Sequence, residues 1–335
     1  MSHNQVEPHL WHKRLVRYRQ PSARRSIFEI AATASPLVLL FGAMYLSVSL
    51  SYRLTLGLAI PTAGFLVRLF MIQHDCGHGA LFRRQWINNW TGRLLAIFTF
   101  TPYDSWRWSH NHHHAGASNL DRRGIGDIKT LTVREYKELG AGRRLLYRLY
   151  RHPLVMFGFG PTYLFVLQFR IPARAEWRDR TGWISTMSTN AGIVCMFGAL
   201  TALVGWKLVL IVHLPVTIAA ATFGVWLFYV QHQFERTLWT RPPHWTPEKA
   251  ALYGSSYLLL PRPLNWLTAN IAFHHIHHLS SKIPFYRLPT VVEDWPELSD
   301  VRRVTVGESM RSLDLALWDE VSERLIAFGP TQKHT

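Results

Sequence analysis

Eleven of the 18 histidines in this 335-residue chain fall into four short runs: HDCGH at 74–78, HNHHH at 110–114, QHQFE at 231–235 and HHIHH at 274–278. Neutral imidazole is a common ligand for transition metals, so runs of it suggest a metal site. His74 and His78 stand four apart, which on a helix puts both rings on one face about one turn apart. His110, His113 and His114 share an HxxHH spacing with His274, His277 and His278, so each triplet can serve one ion or reach toward a second. With His232 added, nine imidazoles are too many for one ion and suffice for two. Hard cations such as magnesium and calcium prefer oxygen ligands, which leaves zinc, iron, copper or nickel.

Residues so far apart in sequence need a scaffold to bring them together. Apolar stretches at 30–50, 54–71, 184–204 and 208–230 each approach the roughly 20 residues that a bilayer crossing requires. The short links SYR and GWK pair them into two transmembrane hairpins. Arg68, near the end of the second span, is expected to snorkel to the headgroups. Lys13, Arg14, Arg17, Arg19, Arg24 and Arg25 precede the first span, and 83–180 is strongly basic, while the hairpin tips hold only Arg53 and Lys207. Short basic flanks stay cytosolic, so both hairpins should dip in and return, with every histidine run on the cytosolic face of an inner or plasma membrane. A fifth apolar run, 153–169, contains Gly158, Gly160 and Pro161 between basic flanks and is expected in the interface or as a re-entrant segment.

The fold class that follows is an all-α polytopic membrane protein, a single domain over 1–335, with a cytosolic helical cap built from 72–183 and 231–335. TPEKAALYGSS, PLNWLTANIAFHHIHH and ESMRSLDLALWDEVSERLIAF all show helix-like spacing in that cap. Cys76 and Cys195 lie far apart and outside any CxxC, which argues against a disulfide framework or thiolate metal site. The net charge of +16 suits anionic partners, but the basic residues follow the membrane topology and no nucleic-acid-binding motif accompanies them.

Zinc hydrolases of the HExxH type and carboxylate-rich di-iron bundles with ExxH pairs are both excluded, because neither motif occurs. Two imidazole-bound irons at a membrane surface would instead suit dioxygen activation against an unactivated C–H bond of a lipid chain. On these residues the chain resembles the integral-membrane fatty acid desaturases, with HDCGH, HNHHH and HHIHH in the family's order. HDCGHG, TPYDSWRWSHNHHH and SNLDRRGIGDIKTLTVREY resemble bacterial acyl-lipid enzymes related to the plant Δ12 (omega-6) type. The resemblance implies two non-haem irons held by His74, His78, His110, His113, His114, His274, His277 and His278. His232 would be the further ligand that the family takes from between its second and third boxes. It also implies O2-dependent removal of two vicinal hydrogens from an acyl chain to leave a cis double bond, with a fatty acyl hydroxylase or carotenoid-type oxygenase as the alternative for the same site.

Fused desaturases carry a cytochrome b5 domain with an HPGG motif, whereas the comparable dipeptide here lies in HPLV at 152–155, so a separate donor such as ferredoxin or a cytochrome b5-like carrier is expected. Metal-bound imidazoles usually donate their other N–H to a carboxylate, amide or carbonyl. Asp75, Asp104, Asp121, Asp127, Glu235 and Asn270 are candidates for that role, with Asp75, Asp121, Glu235 and Asn270 favoured, a helix cap the alternative for Asp104 and a Gly-rich turn the alternative for Asp127. His112 and His275 occupy the variable positions of their boxes and are expected beside the ligands, not among them. Trp106 and Trp108 are expected to pack the substrate or the interface. His213 stands mid-span, where a hydrogen-bonded packing role is favoured. A metal transporter would line its spans with ionisable groups, and these spans are nearly free of them.

Overall fold

The computed structural model describes residues 10–329. Four helices, Ala23–Ser47, Tyr52–His78, Arg180–Val204 and Trp206–His232, are long and apolar enough to cross a bilayer. Each hairpin turns over few residues because its link carries groups that stop or start helices. Ser51 precedes Tyr52, and Gly205, at φ +84°, separates the third and fourth helices. The second helix packs against the first and the fourth. Outward positions such as Leu39, Leu46 and Leu203 are 72, 75 and 79% exposed, as expected for side chains whose solvent is lipid.

Two departures from the hydropathy boundaries matter for the site. The second helix does not stop at Met71 but continues through HDCGH to His78, and the fourth runs on to His232. Burial explains this, since Gln73, His74 and Asp75 are enclosed by neighbouring elements despite their polarity. Arg68 is also fully buried rather than snorkelling. Its guanidinium donates to Glu29 and to the carbonyl of Trp266, donates to Thr33 Oγ1 at 3.0 Å, and lies 4.0 Å from the Trp266 ring centroid. An internal carboxylate and three further contacts are available to Arg68, so it has no need of water.

The remaining described residues cap one end of the bundle. Helices Gln85–Thr99, Tyr103–Gly116, Pro247–Gly254 and His274–Leu279 surround the ends of the second and fourth spanning helices. The 153–169 run is a wide π-helical turn, Leu154–Phe159, followed by the helix Gly160–Val166, both packed on the fourth spanning helix. Segment 308–328 is not one helix. After Val306–Arg311, strands Leu315–Asp319 and Arg324–Ala327 form an antiparallel pair, with Leu131–Thr132 joined in parallel. A second small sheet pairs Tyr257–Leu259 in parallel with Arg303–Thr305. The main apolar core beneath the cap joins Ile72, Leu81, Tyr103, Ile276, Phe285 and Leu288, all buried. Burying each such side chain contributes roughly 1.5–3 kcal/mol, enough to fix the ends of four elements against one another.

Candidate metal centre

The nine histidines converge as two groups. His74, His78, His110, His114 and His277 form one, and His113, His232, His274 and His278 the other, with the candidate ligand atoms of each group all within 4.8 Å of one another. Each HxxHH run divides between the groups. His110 and His114 face the first while His113 faces the second, and His277 faces the first while His274 and His278 face the second. Helical geometry accounts for this, because residues four apart, such as His110 and His114 or His274 and His278, are offset by only about 40° around the axis, whereas a residue one step away is turned by about 100°.

The Nε2 atoms stand at regular spacings. In the first group His110 Nε2 is 3.0 Å from those of His74 and His78 and 3.1 Å from that of His114, which is 3.1 Å from His277 Nε2. In the second, His232 Nε2 is 3.1 Å from His113 Nε2 and 2.9 Å from His274 Nε2, which is 3.0 Å from His278 Nε2. Nitrogens about 2.1 Å from an ion lie about 3.0 Å apart at adjacent corners of an octahedron and about 3.4 Å apart in a tetrahedron. Spacings of this size fit nitrogens gathered around one ion in each group.

The outer nitrogens make the same point. His232 Nδ1 donates to the carbonyl of Gly254 at 3.0 Å, and His113 Nδ1 donates to Asp127. A carbonyl and a carboxylate only accept, so in the neutral rings both protons are on Nδ1 and both Nε2 atoms present lone pairs across 3.1 Å. Facing lone pairs repel unless a cation lies between them, so the donor set fits a metal. Burial, reinforced by neighbouring imidazoles, holds His110, His114, His274, His277 and His278 well below the ordinary imidazole range, so the rings are neutral at pH 7 and able to offer nitrogen lone pairs.

The surrounding groups meet the expectations only in part. Asp75 lies at the site, with one oxygen 3.5 Å from His74 Nδ1 and the other accepting from the Phe285 amide at 2.7 Å. Asp121 and Glu235 contact no metal-group histidine. Asp121 pairs with Arg241 and Glu235 with Arg324 at 3.2 Å, both at the surface, where water and arginine satisfy them. Asn270 donates to the carbonyl of Phe285 at 3.2 Å and supports the loop rather than an imidazole. His112 turns outward to the carbonyl of Trp108 at 2.8 Å, and His275 is buried against the carbonyl of Leu298 at 2.8 Å. His213 bonds Tyr45 at 2.9 Å and stacks on Phe41, a packing role far along the helix from His232.

The carboxylate that holds an imidazole of the second group, His113, is Asp127. Gly126 delivers it: its φ is +71°, and a Cβ there would lie 2.7 Å from the Ser109 carbonyl and 3.2 Å from His113 Cβ. The signal in the sequence was the GIGD turn following HNHHH. Trp106 stacks on His110 with ring centroids 4.5 Å apart, an approach that Gly77 permits because a Cβ there would sit 2.9 Å from the indole. Asp104 is not the cap expected: Pro102 precedes the helix Tyr103–Gly116, and Asp104 lies within its first turn and pairs with Arg93 at 3.0 Å.

Comparison with known proteins adds to this geometry. The family model described as "Fatty acid desaturase" matches residues 51–305. A fatty acid desaturase of Bacillus subtilis is 40% identical over 316 residues, covering 94% of this chain and 89% of its own. An sn-1 acyl-lipid omega-3 desaturase (ferredoxin) of Synechocystis is 28% identical over 75% of this chain and 67% of its own length. An sn-1 oleoyl-lipid 12-desaturase of Anabaena variabilis is 25% identical over 77% of this chain and 75% of its own.

Proposed function

The chain belongs to the fatty acid desaturase family and is an oxidoreductase of that class, and from this premise we propose that it introduces a cis double bond into the acyl chain of a membrane lipid, using two irons held by its nine clustered histidines. The observation that carries the two-metal reading is the division of nine imidazoles into groups of five and four, each with inward Nε2 atoms. Bound iron would supply the activation of dioxygen and the oxidising equivalents.

The protein supplies placement and protection. Asp127 and the Gly254 carbonyl hold His113 and His232 with Nε2 inward, so no reorganisation is needed to receive a metal. Trp106, stacked on His110 and 5.4 Å from Phe70, gives the first group an apolar wall, suited to a hydrocarbon chain and to excluding water. His113 likewise has Phe228 at 5.2 Å. Two apolar spanning helices, Tyr52–His78 and Trp206–His232, end at these groups, which favours a substrate delivered from the bilayer. The lysine and arginine distribution supports a cytosolic site, and the similarity to an sn-1 acyl-lipid omega-3 desaturase (ferredoxin) supports a donor such as ferredoxin or a cytochrome b5-like carrier.

The test is gas chromatography with mass spectrometry of membrane fatty acids from a host expressing the chain beside a ferredoxin system. A new unsaturated acid is the expected product and locates the double bond. A hydroxy acid as the main product would overturn the reading in favour of the hydroxylase alternative.

A further inference from the structure

The helix Ala141–Arg151, sequence AGRRLLYRLYR, has no role in the metal centre and divides sharply into two faces. At about 100° per residue, Leu145, Leu146 and Leu149 share one side, while Arg143, Arg144 and Arg148 occupy the other. The leucines are 58, 67 and 50% exposed, and the exposed apolar surface continues through Leu154, Phe159, Tyr163 and Leu167 at 67, 79, 57 and 60%. A soluble domain would leave this surface in water at a large cost.

Its height relative to the bundle is set by four contacts. Arg151, buried at the helix end, donates to Tyr229 at 3.2 Å and to Gln233 at 3.0 Å, next to His232 where the fourth spanning helix stops. Phe157 packs its ring 5.1 Å from Tyr229, and its carbonyl accepts from Thr222 at 2.7 Å. The amphipathic helix therefore leaves the bundle at the site-bearing end of a membrane span, and the apolar run that follows lies against the last two or three turns of that span. Arg144 and Arg148 donate to neutral acceptors, the Lys137 carbonyl and the Tyr136 hydroxyl, so their charge is not neutralised by these bonds.

We propose that residues 141–171 form an in-plane anchor seated in the leaflet at the site-bearing end, and that Arg143, Arg144 and Arg148 bind the phosphates of anionic lipids there. The occupant is an anionic leaflet, because the surface joins a wide apolar face to unneutralised guanidinium groups where a spanning helix ends. An acidic protein would match the charge but not the leucine face. This inference does not depend on the reaction catalysed.

The experiment uses the full chain with Cys195→Ser and Leu146→Cys, labelled at the new thiol with a polarity-sensitive fluorophore. The labelled protein is reconstituted in phosphatidylcholine vesicles containing a minor share of phosphatidylglycerol. Bromine on the acyl chains of either lipid should quench the probe, and brominated phosphatidylglycerol should quench more per molecule, by up to about fivefold per arginine. The triple variant Arg143→Gln, Arg144→Gln, Arg148→Gln should abolish that preference while leaving the depth unchanged. Quenching by aqueous iodide with none from brominated lipid would overturn the anchor. Equal quenching by the two brominated lipids in the unsubstituted helix would overturn the phosphate sites.

Discussion

The amide of Phe285 donates to the carboxylate of Asp75 at 2.7 Å, which ties the end of the second spanning helix to the loop beyond the HHIHH run. This bond links the helix bearing His74 and His78 to the turn that follows the helix bearing His274, His277 and His278. Asp75→Ala removes the acceptor and leaves a buried N–H unpaired, at a cost of about 1–3 kcal/mol. The expected outcome is a lower unfolding temperature in detergent and weaker metal retention during dialysis. Asp75→Asn keeps an acceptor oxygen and should retain most of both; equal loss in the two variants would show that the bond is not what matters.

Alanine at His232 or His274 should abolish turnover and empty the second group while the first keeps its metal, and alanine at His110 or His277 should do the reverse. Total iron, measured by mass spectrometry of the purified protein, is therefore expected to fall by about half in each case. Complete loss from every variant would mean that the groups load only together.

Asp127→Ala leaves His113 free to rotate, and loss of such an orienting partner typically weakens metal affinity by about 10–100-fold. Titration of the stripped protein with iron or cobalt should show weakening at one site of two. Gly126→Ala should act in the same direction, since a methyl group there meets the Ser109 carbonyl and displaces the turn.

Arg68 and Glu29 form a fully enclosed pair between the first two spanning helices. Removing one partner of a buried pair costs about 3–5 kcal/mol, because the other charge is left bare, whereas replacing both by apolar groups of similar volume costs far less. Arg68→Met leaves Glu29 its half-exposed partner Arg25 at 2.7 Å, so Glu29→Met, which leaves Arg68 without a counter-charge, should lower the unfolding temperature more strongly, and adding Arg68→Met to it should recover much of the loss. Thermal unfolding monitored by circular dichroism distinguishes this from simple additivity.

The spans and the ligand runs were legible because each depends on local pattern: about 20 apolar residues, or imidazoles three and four apart. What was not legible depended on contacts between distant segments. The helix passes Met71 because residues far along the chain bury His74 and Asp75, and nothing in the local hydropathy records that. Segment 308–328 has a helical periodicity over its first part, but Leu317 and Trp318 pair with Leu131 and Thr132 as well as with Ile326 and Leu325, and that pairing prevails. Asp121 and Asp127 are chemically alike and six residues apart; only the turn through Gly124 and Gly126 decides that the second reaches an imidazole while the first meets Arg241.

The division of HNHHH between the two groups has a geometric corollary. His113 and His114 are neighbours on one helix yet face different groups, so the separation between the groups is governed by the angular step of a single backbone segment. His277 and His278 repeat the arrangement from the opposite side. Two rigid rulers thus gauge the same interval, and tilting or winding either helix would shift both metal positions in concert instead of one alone.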